Sequence, residues 1–280
     1  MDSDRFFCRY SELPLGFDRH FHNAHQLLYI VSGEVRVQVG SSVYGGQPGD
    51  LFVISRLEEH GTALEKGAYR RYTLQLSREW LDHALEDARL KSLFLRRPSG
   101  FCHRLPDESR ELEGLFHMMA EEDRVPRPFS GISQSALFCR LMVLCYRQDP
   151  GRFPLPAATP AGPVLEAQRY IDAHFTEELT MDELARHAFL SPSYLSHAFR
   201  EWTGYSPKQY ILLSRIALAR ELLTTTDYDV ADVAGRCGFG DVSNFIRYFK
   251  KETGSTPVSY THLPKRAAPS PRCTRPGSRW

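Results

Sequence analysis

A duplicated stretch in the last third of this 280-residue chain constrains its fold more than any other feature. The twelve residues from Ser193 to Gly204 read SYLSHAFREWTG, and fifty positions later those from Ser243 to Gly254 read SNFIRYFKKETG. Upstream the offset becomes 49, since Leu184-Ala185 corresponds to Val233-Ala234, so one residue has been added between the two matches. A segment of this size that recurs at a fixed offset indicates a supersecondary unit present in two copies.

Each copy has the pattern of a short helix, a tight turn and a second helix. The first helices are predicted over Met181–His187 and Val230–Arg236, and the second helices begin after Ser191 and Asp241, residue types that cap helix N-termini. This is the helix-turn-helix pattern, whose second helix fits the major groove of DNA. The aromatic and leucine residues of these helices are predicted to form the core rather than to stack on bases; they are Leu195, Phe199, Tyr210, Phe245 and Phe249.

The helix between the two copies carries Arg215-Ile216-x-x-Ala219-x-x-Leu222-Leu223. With this linking helix and the repeat, the chain resembles the AraC/XylS family of transcription regulators over about residues 164–260. The second copy follows the family signature closely from Val233 to Pro257. The first departs from it at Phe189, where the family often has a small or polar residue in the turn, and Thr261 stands where the family usually has Arg.

The resemblance implies which side chains contact DNA. Arg247 is expected to make the strongest base contact, because its guanidinium group can form two hydrogen bonds with guanine, and Asn244 can pair with adenine. About half of the predicted DNA-binding residues should touch bases, because most hydrogen bonds between proteins and DNA go to phosphate. For each polar residue, ordinary exposed helix surface is the alternative. The predicted DNA-binding residues are Ser193, Ser196, His197 and Arg200 in the first recognition helix, and Val242, Ser243, Asn244, Ile246, Arg247, Lys250 and Lys251 in the second.

Charge does not single out this region. Residues 164–262 hold ten basic and thirteen acidic side chains, whereas nucleic-acid-binding domains are usually basic overall. Positive charge must therefore act locally, on the surface that meets phosphate. The final residues, 261–280, are rich in Pro, Arg and Ser without periodicity and are expected to be disordered or non-native.

The sequence predicts an α+β fold, in which a β-barrel is followed by helices and then by the all-α domain of residues 164–260; the resemblance to the AraC/XylS family implies that the barrel is cupin-like. Residues 1–77 hold short alternating strands separated by glycine turns, typical of a small antiparallel barrel or sandwich. Residues 78–148 form a helical region that packs on the barrel or also forms a dimer seam, and residues 149–163 are a Pro/Gly linker. The predicted strands cover 27–31, 35–39, 51–54 and 69–76, and the predicted helices cover 78–95, 107–124 and 131–148.

Histidines before the first predicted strand resemble a ligand set. His20-Phe21-His22-x-x-His25-Gln26 and Pro48-Gly49-Asp50, followed by His60, are similar to the two cupin motifs, which bind a metal through three His and one Glu. Gln26 replaces the Glu and is a poor fourth ligand, so we expect a polar pocket for an organic effector rather than a metal or another cofactor. Histidines of ordinary turns remain an alternative. The predicted effector-binding residues are His20, His22, Gln26, Tyr29, Arg36 and His60.

Composition places the chain among soluble globular proteins, with 42% hydrophobic and 25% charged residues. No signal peptide or membrane span is evident, and six scattered cysteines without a CxxC pair indicate a reduced, cytoplasmic protein. We therefore predict a dimeric, effector-controlled regulator of promoter DNA that has no enzymatic activity; the resemblance implies an activator, and RNA polymerase is a possible partner. A metal-dependent cupin enzyme with a helical interaction module is the alternative, and Gln26 argues against it. The effector, the operator and the direction of regulation stay open.

Overall fold

The computed structural model describes residues 6–12, 19–96, 100–154 and 161–261. Its contacts divide the chain into two compact units. The first unit extends to His174 and also includes Leu179–Ser214, and the second combines Phe175–Glu178 with the chain from Arg215 onward. The α+β class is confirmed, with a sheet-rich N-terminal part followed by helices. Residues 155–160 of the predicted linker and nearly all of the 261–280 tail lie outside the described residues.

The N-terminal sheet is antiparallel throughout, and its strands run in the order β1-β5-β2-β4-β6, with β3 paired to β2. Strands β1 and β3 were not predicted, and neither was β6, which pairs with β4 and begins a few residues before the third helix. The strands are β1 Phe6–Ser11, β2 His25–Val39, β3 Ser42–Gly46, β4 Asp50–Ile54, β5 His60–Leu76 and β6 Arg104–Pro106.

Strands β2 and β5 are each much longer than the segments predicted from the sequence. The predicted turn at Ser32-Gly33 is instead an irregularity within β2, where the register with β5 shifts between Ile30 and Val35. Gly33 has φ +88°, and a Cβ there would lie 2.9 Å from the carbonyl oxygen of Ala68. A bulge of this kind changes which residues face each side of the sheet.

The two faces of the sheet bury different apolar clusters. Before the bulge Leu28 and Ile30 face the same side as Val35 and Val37 after it, and they form one cluster with Phe52. The opposite face lies against helices of the first unit, which bury it completely at residues such as Leu27 and Leu74. These helices are α1 Arg78–Ala84, α2 Ala88–Leu95, α3 Glu111–Arg124 and α4 Ser130–Gln148.

The predicted single helix over 78–95 is two helices. Leu85 adopts an extended conformation at the end of α1, and the Asp87 side chain accepts hydrogen bonds from the backbone N–H groups of Arg89 and Leu90 at the start of α2. Asp is a preferred N-cap residue, so this side chain begins a new helix where periodicity alone predicted continuity.

The repeat folds as predicted. Its first helices have the predicted bounds, and the predicted caps act on the second helices: Ser191 accepts from the N–H of Tyr194, and Asp241 accepts from those of Ser243 and Asn244. Among the described residues, no helix has the length and apolarity needed to cross a membrane. The C-terminal helices are α5 Ala161–His174, α6 Met181–His187, α7 Pro192–Thr203, α8 Pro207–Thr225, α9 Val230–Arg236, α10 Val242–Thr253 and α11 Pro257–Thr261.

Aromatic side chains hold each helix-turn-helix together, as predicted. In the first copy the rings of Phe199 and Tyr210 are 5.4 Å apart at an angle of 79° and both are buried. In the second copy Phe245 and Phe249 are fully buried, with ring centroids 5.5 Å apart. Each recognition helix therefore has one apolar side fixed in a core, and its other side remains available to a partner.

Candidate nucleic-acid interface and effector site

The outer face of α10 carries every residue predicted to bind DNA in the second copy, and each of them is exposed. The Arg247 guanidinium donates a 2.8 Å hydrogen bond from Nη2 to the Asn244 side-chain oxygen and lies 4.9 Å from the ring of Tyr248. The two side chains expected to read bases are therefore adjacent and oriented by each other. Lys250 and Lys251 lie in the last turn of the same helix and are also exposed.

The outer face of α7 is less basic. Ser193, His197 and Arg200 are exposed and Ser196 is half-buried. Tyr194, which was not among the predicted residues, is 41% exposed. Its position three residues before His197 puts it on the same helical face, so the spacing alone indicated it.

The turns of the two copies have the same hydrogen bond but different residues at their left-handed position. Leu190 N–H donates to Ala185 oxygen at 2.9 Å, and Phe239 N–H donates to Ala234 oxygen at 3.0 Å. The residues just before these donors are Phe189, with φ +54°, and Gly238, with φ +81°. Since these turns align at offset 49 and the caps at offset 50, the added residue is Gly240.

Within the first unit, a buried ion pair connects the sheet domain, the part that holds strands β1–β6, to the helices of the first helix-turn-helix. Arg56, in the β4–β5 loop, places Nη1 at 2.6 Å from the Asp172 Oδ2 atom of α5, and both side chains are almost fully buried. The Tyr210 hydroxyl donates to Asp172 Oδ1 at 3.1 Å and accepts from the Gln168 amide at 3.0 Å. Burial raises the pKa of Tyr210, so its hydroxyl stays protonated and keeps donating.

Two further contacts in this unit involve the C-terminal end of α7 and the residues just after it. The Tyr205 hydroxyl donates to the backbone oxygen of Leu57 at 3.1 Å, next to Arg56 in the same loop. The guanidinium of Arg96 lies 4.9 Å from the ring centroid of Trp202. The first recognition helix is thus joined to the sheet domain through polar contacts as well as through α5.

The second unit has its own anchor. Arg215, the first residue of the linking-helix motif, donates from Nε to Phe175 oxygen at 2.6 Å and from Nη2 to Glu177 oxygen at 2.7 Å. Its guanidinium also lies 5.8 Å from the ring of Phe239. One arginine therefore fixes the 175–178 segment and touches the turn of the second copy.

His20, His22 and His60 come together as the sequence suggested. The ring of His60 lies 4.4 Å from that of His20 and 4.9 Å from that of His22, measured between centroids. Backbone hydrogen bonds of 2.9 and 2.8 Å join His20 and His60 in both directions. Burial, followed by the neighbouring His22 and His20, holds the pKa of His60 well below its ordinary value.

Gln26 is buried beside His22, and it has a partner that the prediction missed. The Gln75 side-chain amide donates to Gln26 Oε1 at 2.6 Å and lies 3.1 Å from Nε2 of His22. Along β5, Arg71, Thr73 and Gln75 are half-buried while the residues alternating with them are buried against the helices. The period-two pattern of residues 69–76 was the signal for this polar row.

The prediction that Tyr29 and Arg36 line the same site is wrong. The Tyr29 hydroxyl donates to Asp107 Oδ2 at 3.1 Å, and its ring stacks on Phe116 under the helices. Arg36 is 57% exposed and pairs with Glu65 at 3.0 Å. An odd number of positions separates Tyr29 from Gln26, and the bulge resets the alternation before Arg36, so both side chains leave the face that holds the histidines.

Comparison with known proteins gives matches over both halves of the chain. The family described as AraC-like ligand binding domain matches residues 10–130, and the family described as helix-turn-helix domain matches residues 184–262. The transcriptional activator RhaS of Salmonella schwarzengrund strain CVM19633 is 25% identical over 251 residues, covering 86% of this chain and 86% of RhaS.

Two other matches bear on the fold and on the repeat. The regulatory protein PocR of Salmonella typhimurium strain LT2 is 36% identical over 95 residues, which are 34% of this chain and 31% of PocR. The chain thus spans less than a third of PocR. The structure of ToxT from Vibrio cholerae aligns with a TM-score of 0.66 at 14% identity, covering 91% of this chain and 97% of ToxT, and this likeness concerns the fold.

Proposed function

Because this chain belongs to the AraC family of transcription regulators, we propose that it binds promoter DNA with both helix-turn-helix units under the control of a small molecule held by the sheet domain. The observation that carries this proposal is the pair of recognition helices, each buried on one side and exposed along the face that family members direct to DNA. RhaS is named an activator, and activation, with RNA polymerase as a partner, is the direction we propose.

In this proposal the second copy supplies most of the base recognition. Arg247 pairs with guanine, and Asn244 pairs with adenine. Their mutual hydrogen bond in the free protein orders both side chains before DNA arrives, which reduces the entropy lost on binding. Lys250, Lys251 and Arg200 neutralise phosphates, and the first copy adds weaker base contacts through Ser193 and His197.

The effector is proposed to bind on the polar face of the sheet. His20, His22, Gln26 and His60 remain in the set, and Arg71 and Gln75 join it in place of Tyr29 and Arg36. Buried apolar side chains and half-buried polar ones share this face, which is the lining typical of a small-molecule site.

A short loop connects this face to the first helix-turn-helix. Residues 55–59 lie between β4 and β5: His60 follows the loop, and Arg56 within it holds Asp172 of α5. Effector binding regulates DNA binding only if it favours one arrangement of this loop over another. We propose that the Arg56–Asp172 pair transmits that preference.

Exposed apolar side chains at the α3–α4 end support a homodimer. Phe129 is 79% exposed and Ile132 is 69% exposed, and Met118 and Val125 are also exposed. Large apolar side chains grouped at the surface mark interaction sites. Analytical ultracentrifugation should give a dimer that Phe129→Ser with Ile132→Ser converts to a monomer, and an unchanged dimer would place the interface elsewhere.

We propose a regulator without catalysis, acting in the cytoplasm. The relatives matched here are named as regulatory proteins, and the described cysteines are all free thiols, as a reducing compartment requires. The second candidate, a metal-dependent cupin enzyme, is favoured only by the three converging histidines. Turnover of a substrate by the purified chain would be the observation in its favour.

Selection from a random duplex DNA library tests the main proposal. The purified chain should enrich a bipartite motif with half-sites about one helical turn, roughly 10 base pairs, apart. Arg247→Ala should lose the enrichment at one half-site, and the exposed control Arg36→Ala should not. Failure to enrich any motif at low salt would overturn the proposal.

A further inference from the structure

The three histidines of the sheet domain have features that binding an organic molecule does not require. One nitrogen from each ring of His20, His22 and His60 lies within 4.8 Å of the others. A tetrahedral ion with metal–nitrogen bonds of about 2.0–2.1 Å needs ligand atoms roughly 3.4 Å apart. The three nitrogens therefore lie no more than about 1.4 Å beyond the separation that one ion requires.

Backbone carbonyl groups orient two of these rings, and for His60 the hydrogen bond selects the metal-binding tautomer. His22 Nδ1 is 2.9 Å from the Ala24 carbonyl oxygen, and His60 Nδ1 is 2.8 Å from that of Glu58. A carbonyl oxygen only accepts hydrogen bonds, so Nδ1 of His60 carries the proton and its Nε2 carries a lone pair. His22 Nε2 lies 3.1 Å from both the Gln26 oxygen and the Gln75 amide nitrogen, so the backbone orients this ring and the two amides decide its tautomer. A backbone carbonyl that orients an imidazole in this way is the usual outer support of a metal-bound histidine.

The lone pair of His60 lacks a partner within the part of the chain that the structure describes. His60 is 3% exposed, and its Nε2 atom is buried without a hydrogen bond. Buried polar atoms are nearly always satisfied, so an orphaned acceptor on a ring that lies 4.4 and 4.9 Å from two other imidazole rings indicates a missing ligand.

The backbone holds two of the three rings in place before any ion arrives. His20 and His60 pair through two backbone hydrogen bonds, so their Cβ atoms are fixed on adjacent segments. Phe21, which lies between His20 and His22 in the sequence, is buried and anchors that segment. Gln26 and Gln75 adjoin His22 and offer neutral amide groups rather than a carboxylate.

We propose that His20, His22 and His60 bind one divalent transition-metal ion of the kind that imidazole prefers, such as Zn²⁺, Ni²⁺ or Co²⁺. Three neutral ligands leave the ion its full double charge and at least one open position. An anionic or hydroxylated molecule, or water, would complete the coordination. The site stands independently of the proposed DNA binding, since none of its atoms belongs to a recognition helix.

Metal binding is tested on the full chain, prepared without a histidine tag and stripped of metal with a chelator. Titration with Co²⁺ should show one ion bound per chain, with visible absorption of low coordination number and without the near-ultraviolet band of a cobalt–thiolate bond. Zn²⁺ should displace the Co²⁺ stoichiometrically. His20→Ala and His22→Ala, at half-buried positions, should each lower the affinity by at least about tenfold.

His83→Ala is the matched control, because His83 is exposed on α1 and distant in sequence from the cluster. It should keep the wild-type affinity. His60→Ala removes a buried ring, so its folding is checked by circular dichroism. If His60→Ala misfolds, the test rests on His20→Ala and His22→Ala. The proposal is overturned if the wild-type chain binds no Co²⁺, if His20→Ala and His22→Ala bind as well as His83→Ala, or if the spectrum shows thiolate ligands.

Discussion

The two helix-turn-helix units share one local pattern but differ in what surrounds them. The first belongs to the same compact unit as the sheet domain, to which Asp172 and Tyr205 join it by a buried ion pair and a hydrogen bond. The second belongs to a separate unit, in which Arg215 fixes the 175–178 segment. The same supersecondary structure therefore occurs in two different surroundings, and the contacts outside the repeat distinguish the two copies.

The exposed faces of the two recognition helices also differ, in the number of cationic side chains that they present. α10 presents Arg247, Lys250 and Lys251, whereas α7 presents Arg200 and His197. Phosphate binding scales with the number of cations placed on the surface, so the second copy is better equipped to hold DNA. The first copy, with fewer cations and more contacts to the sheet domain, is better placed to respond to an effector.

The largest effect on this difference between the two copies is expected from Asp172→Ala. It leaves the Arg56 guanidinium buried without its carboxylate, and losing one partner of a buried pair costs about 3–5 kcal/mol in the free energy of unfolding. Urea unfolding is followed by tryptophan fluorescence, because two of the three tryptophans, Trp80 and Trp202, lie in the first unit; Trp280→Phe in the parent chain removes the third.

Glu65→Ala is the control for that experiment. It removes the partner of Arg36 in an ion pair that is half exposed on both sides, where such pairs contribute about 0–1 kcal/mol. Equal and small losses for the two variants would show that the Arg56–Asp172 pair does not fix the first helix-turn-helix to the sheet domain.

The second unit is most sensitive at the left-handed position of its turn. In Gly238→Ala the new Cβ would lie 2.2 Å from the Thr176 oxygen at φ +81°, and we expect a loss of roughly 2–4 kcal/mol from the clash and the backbone strain together. Hydrogen exchange of the α9 and α10 amides measures it. Gly240→Ala, in open space two residues later, should change little, and comparable effects at both positions would exclude the contact with Thr176 as the cause.

The recognition helices are compared by removing one arginine from each. Arg247→Ala should weaken binding to the selected DNA by roughly ten- to a hundredfold and relax the sequence preference at one base pair. Arg200→Ala should weaken binding evenly across sequences and lower the salt dependence by about one counterion. Fluorescence anisotropy over a range of salt concentrations separates the two effects. If both variants behave alike, the assignment of base reading to the second copy is wrong.

The elements of the repeat could be predicted because their signals are local. Ser191 and Asp241 cap the helices that follow them, and apolar residues four apart define the buried sides, so no distant contact is needed. The histidine cluster was also within reach, because His20, His22 and His60 stand at positions that match the cupin motifs; an isolated bridge between His20 and His60 joins the two segments. Gln75 was missed although the alternation of β5 displayed it.

Other features depend on contacts that no local pattern records. The bulge at Ser32-Gly33 reads as a turn in the sequence, and only pairing with β5 makes it part of one strand. Arg56 and Asp172 lie far apart in the sequence, and nothing near either residue indicates the other. The incorrect placement of Tyr29 and Arg36 has the same origin, because the face of a residue depends on where a strand begins and where it is interrupted.

The smallest expected effect tests whether the first turn carries strain that the second avoids. Phe189 adopts φ +54° and is 94% exposed, so Phe189→Gly loses almost no packing. Relief of about 1–2 kcal/mol of left-handed strain is offset by about 0.4–1 kcal/mol from the freer unfolded glycine chain. The first unit should therefore gain roughly 0.5 kcal/mol in tryptophan-monitored urea unfolding. Phe189→Ala keeps the strained backbone without the ring and should gain nothing; if it gains as much as the glycine variant, the exposed ring rather than the backbone distinguishes the two turns.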